Sequence, residues 1–118
     1  MENNYPQTLA DGICKFLSQK KAQDIVKIYV ADKTIIADYF IIASGRSTTQ
    51  VHSLCDNVAE FCSKEYGIDV KRREGVSEGR WAVLDFGEVI VHVFDDEQRL
   101  FYHLERLWGE GEKFIDEE

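Results

Sequence analysis

The sequence predicts a single-domain α/β protein, with one mixed sheet of about five strands packed against about three helices. Strand-like runs rich in β-branched residues alternate with longer runs of helical periodicity, in the order α-β-β-α-β-β-β-α. The length of 118 residues suits one hydrophobic core and is short for two. A strand–helix–strand unit in the middle implies one parallel crossover, and the short links elsewhere imply antiparallel neighbours.

The first part of the chain is predicted to form a helix and two strands. Pro6 suits the first turn of a helix, and apolar residues follow it at helical spacing. These residues are Leu9, Ile13, Phe16 and Leu17. Residues 24–30 alternate between two faces in the manner of a strand. Residues 38–43 are nearly all apolar, which is typical of a central strand covered on both faces.

A second helix is predicted to follow the turn at Gly45. Ser47 and Gln50 have the spacing of a capping box, in which each side chain bonds a free backbone N–H at the helix start. Gly67 stands where a glycine commonly ends a helix. The predicted buried stripe consists of Val51, Leu54, Cys55, Val58, Phe61 and Cys62.

The remaining chain is predicted to form three strands and a third helix. Residues 69–75 are polar and suit an edge strand, and Gly87-Glu88 suits a tight hairpin between strands 81–86 and 89–94. Asp95 and Gln98 repeat the capping pattern at the start of the third helix. Its predicted buried face is Leu100, Phe101, Leu104, Leu107 and Trp108. The domain is expected to span residues 1–109, followed by an acidic, disordered tail at 110–118.

Composition narrows the class of protein. The formal net charge of −8 argues against a protein whose main partner is a nucleic-acid backbone. No stretch approaches the roughly 20 apolar residues that span a bilayer, and the N-terminal residues lack a signal-peptide pattern. The three cysteines contain no CxxC pair, so a disulfide framework is not expected. We therefore expect a reduced, cytoplasmic protein with no membrane association.

The turn SGRST at residues 44–48 raises the alternative of a nucleotide-binding or nucleotidyltransferase-like enzyme. A phosphate loop needs several glycines or a lysine, and this turn has one glycine and no lysine. Arg46 and the free helix start could still attract an anion. Asp69, Asp85 and Asp95-Asp96 do not form the carboxylate pair that would hold Mg²⁺. We predict no metal site, no cofactor and no catalytic residue.

Trp81 is the most informative single residue for binding. Strand alternation places it on one face with Val83 and Asp85, and tryptophan is enriched at interface hot spots. A structural, partly buried Trp81 is the alternative. Lys71, Arg72 and Arg73 form a basic run, which either protects an edge strand from aggregation or makes a secondary contact to phosphate.

Several motifs together make the chain similar to a known family. They are, in chain order, ADYFIIASGRSTTQV, the Glu74-Gly75 pair, WAVLDFGEVIVHVF and RLFYHLERLW, and the similarity covers roughly Leu9 to Gly109. They resemble the ribosomal silencing factor or Iojap family. The resemblance implies a nucleotidyltransferase-like α/β fold without demonstrated catalysis, often as a homodimer. It also implies a cytoplasmic factor that binds the large ribosomal subunit through the ribosomal protein L-fourteen, blocks joining of the small subunit and represses translation when nutrients are scarce.

The matching motifs give the candidate contact residues. They are Trp81, Val83 and Asp85 in WAVLDFG, with His92 and Phe94 in VHVF. A secondary contact with ribosomal RNA would fall on Lys71, Arg72 and Arg73. Two other functions stay open at this point: the nucleotide-handling enzyme, and a dimerisation module with no ribosomal role.

Overall fold

The computed structural model describes residues 5–97 and the backbone of residues 112 and 113. The described chain contains two helices and six strands. They are α1 (Tyr5–Gln19), β1 (Gln23–Tyr29), β2 (Tyr39–Gly45), α2 (Thr48–Tyr66), β3 (Arg72–Glu74), β4 (Trp81–Asp85), β5 (Val89–Asp95) and β6 (Glu112–Lys113). No helix in this part of the chain is long and apolar enough to cross a membrane.

The strands form one mixed sheet in the order β3-β4-β5-β2-β1-β6. The parallel pair is β2 with β5, and the chain between these strands contains α2 and the β3–β4 pair. The other neighbours pair antiparallel, including β4 with β5 across the Gly87-Glu88 hairpin. The predicted mixed α/β sheet is confirmed, with β2 and β5 as its central strands.

Both described helices pack on one face of the sheet. The two helices, β1, β2, β4 and β5 all contribute buried side chains to the core on this side, among them Leu9, Ile13, Leu54, Ile41, Leu84 and Val91. Burial of Cys55 and Cys62 within this core raises the pKa of each thiol to about 12. Both cysteines therefore serve as small core residues, as the helical stripe predicted.

A second apolar cluster lies on the opposite face of the sheet. Its buried members are Val26, Ile28, Val30, Ala37, Phe40, Ile42, Ile90 and Phe94, with Trp81 and Val83 packed against them. Because successive side chains of a strand point to opposite faces, β2 and β5 contribute to both clusters. This explains why their sequences are almost continuously apolar.

The caps of α2 confirm the predicted helix boundaries. The Ser47 hydroxyl accepts from the backbone N–H of Gln50 at 3.1 Å, and Gly67 ends the helix in the left-handed region at φ 68°. The Gln50 side chain reaches one residue further back than in a standard capping box and accepts from the backbone N–H of Arg46, which precedes the N-cap, at 2.6 Å.

The structure differs from the sequence prediction in two places, and it agrees with the prediction at the start of the third helix. β3 contains only Arg72–Glu74, because the chain leaves the α2 cap before it reaches the sheet edge and turns at Gly75, φ 73°. β6 pairs with β1 in a segment where no strand was predicted. Residues 96 and 97 are helical, where the third helix was predicted to start. The rest of that helix lies outside the described residues.

Candidate functional site

The β4–β5 hairpin brings all five predicted contact residues to one face of the sheet. Trp81 pairs with Phe94 and Val83 with His92, and Asp85 is two residues beyond Val83 on β4. Alternation along each strand therefore puts these side chains on the face opposite α1 and α2. The sheet face that each of these side chains occupies was predictable from the sequence, whereas the extent to which each side chain is buried was not.

Trp81 is half-buried and held by two contacts from β5. Its ring stacks on Phe94, with centroids 5.1 Å apart and an interplanar angle of 26°. Its indole N–H donates to Nδ1 of His92 at 3.1 Å. Phe94 is itself fully buried, so it supports Trp81 from below and offers no surface of its own. Trp81 is thus a positioned aromatic side chain with one part facing outward.

His92 is a buried, neutral imidazole. It is 9% exposed, and burial lowers its pKa from 6.5 to about 4. Because Nδ1 accepts the Trp81 N–H, the single proton of the neutral ring resides on Nε2. Nε2 has no hydrogen-bond partner in the described structure. An unsatisfied buried donor costs about 1–3 kcal/mol, so this atom calls for an explanation.

A cavity of about 330 Å³ opens beside His92 on the same face. This volume lies within the range of ligand and anchor pockets in proteins. The cavity is lined by Ile36, Phe40, Arg72, Glu74, Val83, Asp85, Ile90 and His92. Three predicted contact residues therefore line it, while Trp81 and Phe94 lie beside it on the hairpin.

The charged side chains that line the cavity differ in their exposure and in the groups they contact. Arg72 and Glu74 lie at the edge strand, largely exposed, with their charged atoms 3.5 Å apart. Asp85 accepts the backbone N–H of Gly87 at 2.8 Å through one oxygen. A carboxylate has about four acceptor positions, so Asp85 keeps acceptor capacity for a partner.

The basic run of β3 does not act as one surface. Arg73 points to the helix side of the sheet and donates to Asp56 of α2 at 3.1 Å. Arg72 points to the opposite face and lines the cavity. Lys71 precedes the strand, with its side chain passing beside Gly87. Alternation along β3 therefore separates Arg72 from Arg73.

The SGRST turn, considered above as a phosphate site, is a capped helix start that a neighbouring loop approaches closely. Ser47 and Gln50 bond backbone N–H groups there. Gly79 packs so tightly on Thr48 that a Cβ at this glycine would lie 2.6 Å from the Thr48 carbonyl oxygen. In the described part of the chain, no group of three His, Cys, Asp or Glu side chains is placed to hold a metal ion.

Sequence reasoning missed several residues that line the cavity. Ile90 was detectable, because it lies two residues before His92 on β5 and so shares its face. Phe40 reaches the site only through the parallel pairing of β2 with β5, which brings its ring within 5.1 Å of His92. Ile36 belongs to the loop before β2, and no local pattern indicated its position.

Comparison with known proteins gives a consistent picture. A family model described as "Ribosomal silencing factor during starvation" matches residues 3–118. The chain is 41% identical over 92 residues to "Ribosomal silencing factor RsfS" of Bacillus subtilis, covering 78% of this chain and 77% of that protein. It is 38% identical over 95 residues to the protein of the same name from Halalkalibacterium halodurans, covering 80% of each. A crystal structure of a Chromobacterium violaceum protein superposes with a TM-score of 0.80 at 32% identity, covering 98% of this chain and 94% of that one.

Proposed function

The chain belongs to the ribosomal silencing factor family, and from this premise we propose that it binds the large ribosomal subunit and prevents the small subunit from joining. The observation that supports this most is the Trp81–His92–Phe94 cluster beside an open cavity. A half-buried tryptophan, fixed by a stack and a hydrogen bond, is preorganised for a protein interface.

We propose the ribosomal protein L-fourteen as the direct partner, as the family resemblance implies. The net charge of −8 favours docking on a basic protein surface, because complementary charge speeds encounter and suppresses wrong partners. The same charge opposes extensive contact with RNA phosphates. Binding would act by steric exclusion and repress translation in the cytoplasm, without catalysis or a cofactor.

A secondary contact with ribosomal RNA would use Arg72 rather than the whole basic run. Arg72 lies at the rim of the proposed docking face, so its guanidinium could reach a phosphate beside the protein partner. Arg73 faces the helix side and is engaged by Asp56. Of the three basic residues proposed from the sequence, Arg72 therefore has the best position.

Self-association into a homodimer is part of the same proposal. Ile35 is fully exposed and Ile36 is 59% exposed, on a loop where the Thr34 hydroxyl accepts the Ile36 N–H at 3.2 Å. Exposed apolar side chains on an ordered loop favour contact with another protein surface.

We expect Ile35→Asp to shift the protein towards monomer in sedimentation velocity at a fixed protein concentration, with Lys33→Asp as the control. An unchanged distribution for Ile35→Asp would exclude this loop from a dimer contact.

Trp81→Ala is expected to weaken binding to large subunits by at least tenfold, as for truncation of an interface hot spot. Purified protein and variant would be mixed with large subunits and followed by co-sedimentation. In the same gradients, the wild-type protein should reduce the fraction of assembled ribosomes, and Trp81→Ala should do so only at higher concentration.

Tyr29→Ala is the matched control for this experiment. Tyr29 is also a partly exposed aromatic residue on a strand, and it contacts Tyr39 rather than the proposed docking face. We expect it to bind as the wild type does. Thermal unfolding of both variants would show that the folded fraction is equal. Wild-type binding by folded Trp81→Ala would place the interface elsewhere, and absence of binding by the wild type would refute the proposed function.

A further inference from the structure

His92 is an imidazole in surroundings that suit an apolar side chain. It is 9% exposed, and the rings of Trp81 and Phe40 lie with their centroids 6.2 Å and 5.1 Å from its own. Its Nε2 atom is inaccessible to solvent and has no hydrogen-bond partner in the described structure. An unsatisfied buried donor costs free energy, which a leucine at this position would avoid. Packing alone therefore does not explain why residue 92 is a histidine.

The Nδ1 atom of His92 gives the imidazole a use that an apolar side chain lacks. It accepts the hydrogen bond from the indole N–H of Trp81 at 3.1 Å. Burial lowers the pKa of His92 to about 4, so the ring is neutral at pH 7 and Nδ1 keeps the lone pair that accepts. A leucine would fill the space but could not accept this bond. What the histidine supplies is therefore an acceptor for Trp81.

This hydrogen bond restricts a movement of Trp81 that stacking leaves free. The indole lies at 26° to the ring of Phe94, and this stack restricts the tilt of the indole plane. An offset stack still lets the ring turn within its own plane, since the contact is between two flat faces. A hydrogen bond is directional and weakens steeply as it bends. The two contacts together define the plane of the indole and its orientation within that plane.

The central position of β5 makes His92 a rigid support for the bond. Residue 92 pairs with Ile42 of β2 on one side and with Val83 of β4 on the other. Its ring also packs edge-on against Phe40, at an interplanar angle of 65°. Trp81, in contrast, is half-buried at the start of β4. The buried imidazole is therefore placed to hold the more exposed indole in one orientation.

We propose that His92 is a positioning residue, which holds the Trp81 indole in the orientation that the ribosomal partner meets and makes little contact with the partner itself. The family motifs gave His92 as a contact residue, and its exposure of only 9% favours the indirect role. The inference rests on the proposed function in taking Trp81 as a docking residue. It adds a reason for the unsatisfied Nε2–H, which accompanies the acceptor at Nδ1.

A double-mutant cycle tests this role with large subunits. Trp81→Phe removes the indole N–H and keeps a ring that can stack on Phe94, whereas His92→Leu removes the acceptor. We expect each single variant to bind about fivefold more weakly in co-sedimentation, as for the loss of one hydrogen bond. In the Trp81→Phe background, His92→Leu should weaken binding by less than about twofold, because the bond is already absent. Equal losses from His92→Leu in both backgrounds would mean that His92 contacts the partner directly, which would overturn the proposal.

His92→Asn separates positioning of Trp81 from support of the fold. Its side-chain oxygen can take the place of Nδ1 and accept from Trp81, but its amide places N–H donors in the buried site. We expect it to bind within about twofold of the wild type, although it unfolds at a lower urea concentration. His92→Leu should bind more weakly, although it unfolds at the same or a higher urea concentration. Binding that follows the stability of the variants would overturn the proposal.

NMR of the isolated protein follows the hydrogen bond itself. The chain has two tryptophans, so the indole N–H signal that is absent from Trp81→Phe belongs to Trp81. In His92→Leu we expect this signal to shift and to exchange faster with solvent, whereas His92→Asn should keep the slow exchange. An unchanged signal in His92→Leu would overturn the proposal.

Ile90→Val is the matched control for both measurements. Ile90 lies two residues from His92 on the same face of β5 and is also 9% exposed, but its side chain has no acceptor. We expect this variant to keep the wild-type binding and the wild-type Trp81 signal. Absence of wild-type binding to large subunits would refute the proposed function and this role together. Wild-type binding by His92→Leu, beside weakened binding by Trp81→Ala, would refute this role alone.

Discussion

Replacing Gly75 by alanine is expected to destabilise the protein by about 3–4 kcal/mol. Gly75 has φ 73°, a conformation that costs an alanine about 1–2 kcal/mol. Its added Cβ would also lie 2.2 Å from the carbonyl oxygen of Trp81, which is backbone and cannot simply move aside. Relief requires a shift of the chain at the start of β4, and this displaces Trp81 from Phe94. Urea unfolding at pH 7 measures the loss.

Gly67→Ala is the matched control for the clash. Gly67 has φ 68°, nearly the same backbone conformation, but a Cβ there meets nothing within 4 Å. We expect a loss of about 1 kcal/mol, from backbone strain alone. Equal losses of stability in the two variants would show that the overlap between the added Cβ at residue 75 and the Trp81 carbonyl oxygen is relieved at no cost in free energy. A larger loss of stability for Gly75→Ala would measure how strongly the close approach of residue 75 constrains the start of β4.

Acidification from pH 7 to pH 5 is expected to remove about 2 kcal/mol of stability through His92 alone. The folded-state pKa of about 4 lies below the ordinary 6.5 because burial disfavours the imidazolium. Between these values the unfolded chain binds a proton that the folded protein does not. The contribution is therefore complete above about pH 7, and it falls as the pH is lowered towards 4. The equilibrium constant for unfolding changes about thirtyfold.

The measurement compares urea unfolding at pH 7 and pH 5 for three proteins. His92→Gln should lose less stability on acidification than the wild type, by about 2 kcal/mol, because the titrating group is gone. Ser53→Ala, at an exposed position on α2 that carries no titrating group, should keep the wild-type difference. The Asp85 and Glu74 carboxylates and the Arg72 guanidinium line the same cavity. If the effect of these carboxylates on the pKa of His92 exceeded that of burial, they would stabilise the imidazolium in the folded protein. The wild type would then lose less stability than His92→Gln on acidification to pH 5.

Local chemistry explains which parts of the fold were predictable. The α2 boundaries follow from Ser47, Gln50 and Gly67, whose backbone contacts all lie within one helical turn. The β4–β5 hairpin follows from Gly87, which adopts φ 100°. The faces of Trp81 and His92 follow from strand alternation. These features need no knowledge of the rest of the chain.

Features that depend on distant pairing were not predictable in the same way. The position of Phe40 beside His92 needs the register of β2 with β5, two strands separated by α2 and β3–β4. Phe94 was expected at the surface, and it is fully buried because Trp81 covers it. β6 depends on its pairing with β1, and two residues carry too little pattern to indicate a strand. Each of these positions depends on tertiary contacts.

The two strands that carry Trp81 and His92, β4 and β5, are paired unequally in the sheet, and this affects local opening of the native protein. β5 lies between β2 and β4, and its seven residues are all paired with β2. In the described part of the chain, β3 pairs with β4 from Asp85 to Val83, so β4 adjoins a short edge strand, whereas β5 is central. Because central strands open less readily than strands near a sheet edge, we expect slower amide hydrogen exchange along β5, which carries His92, than along β4, which carries Trp81. A partner docked on this face would therefore restrict the motion of Trp81 more than that of His92, and much of the ordering on binding would occur at Trp81.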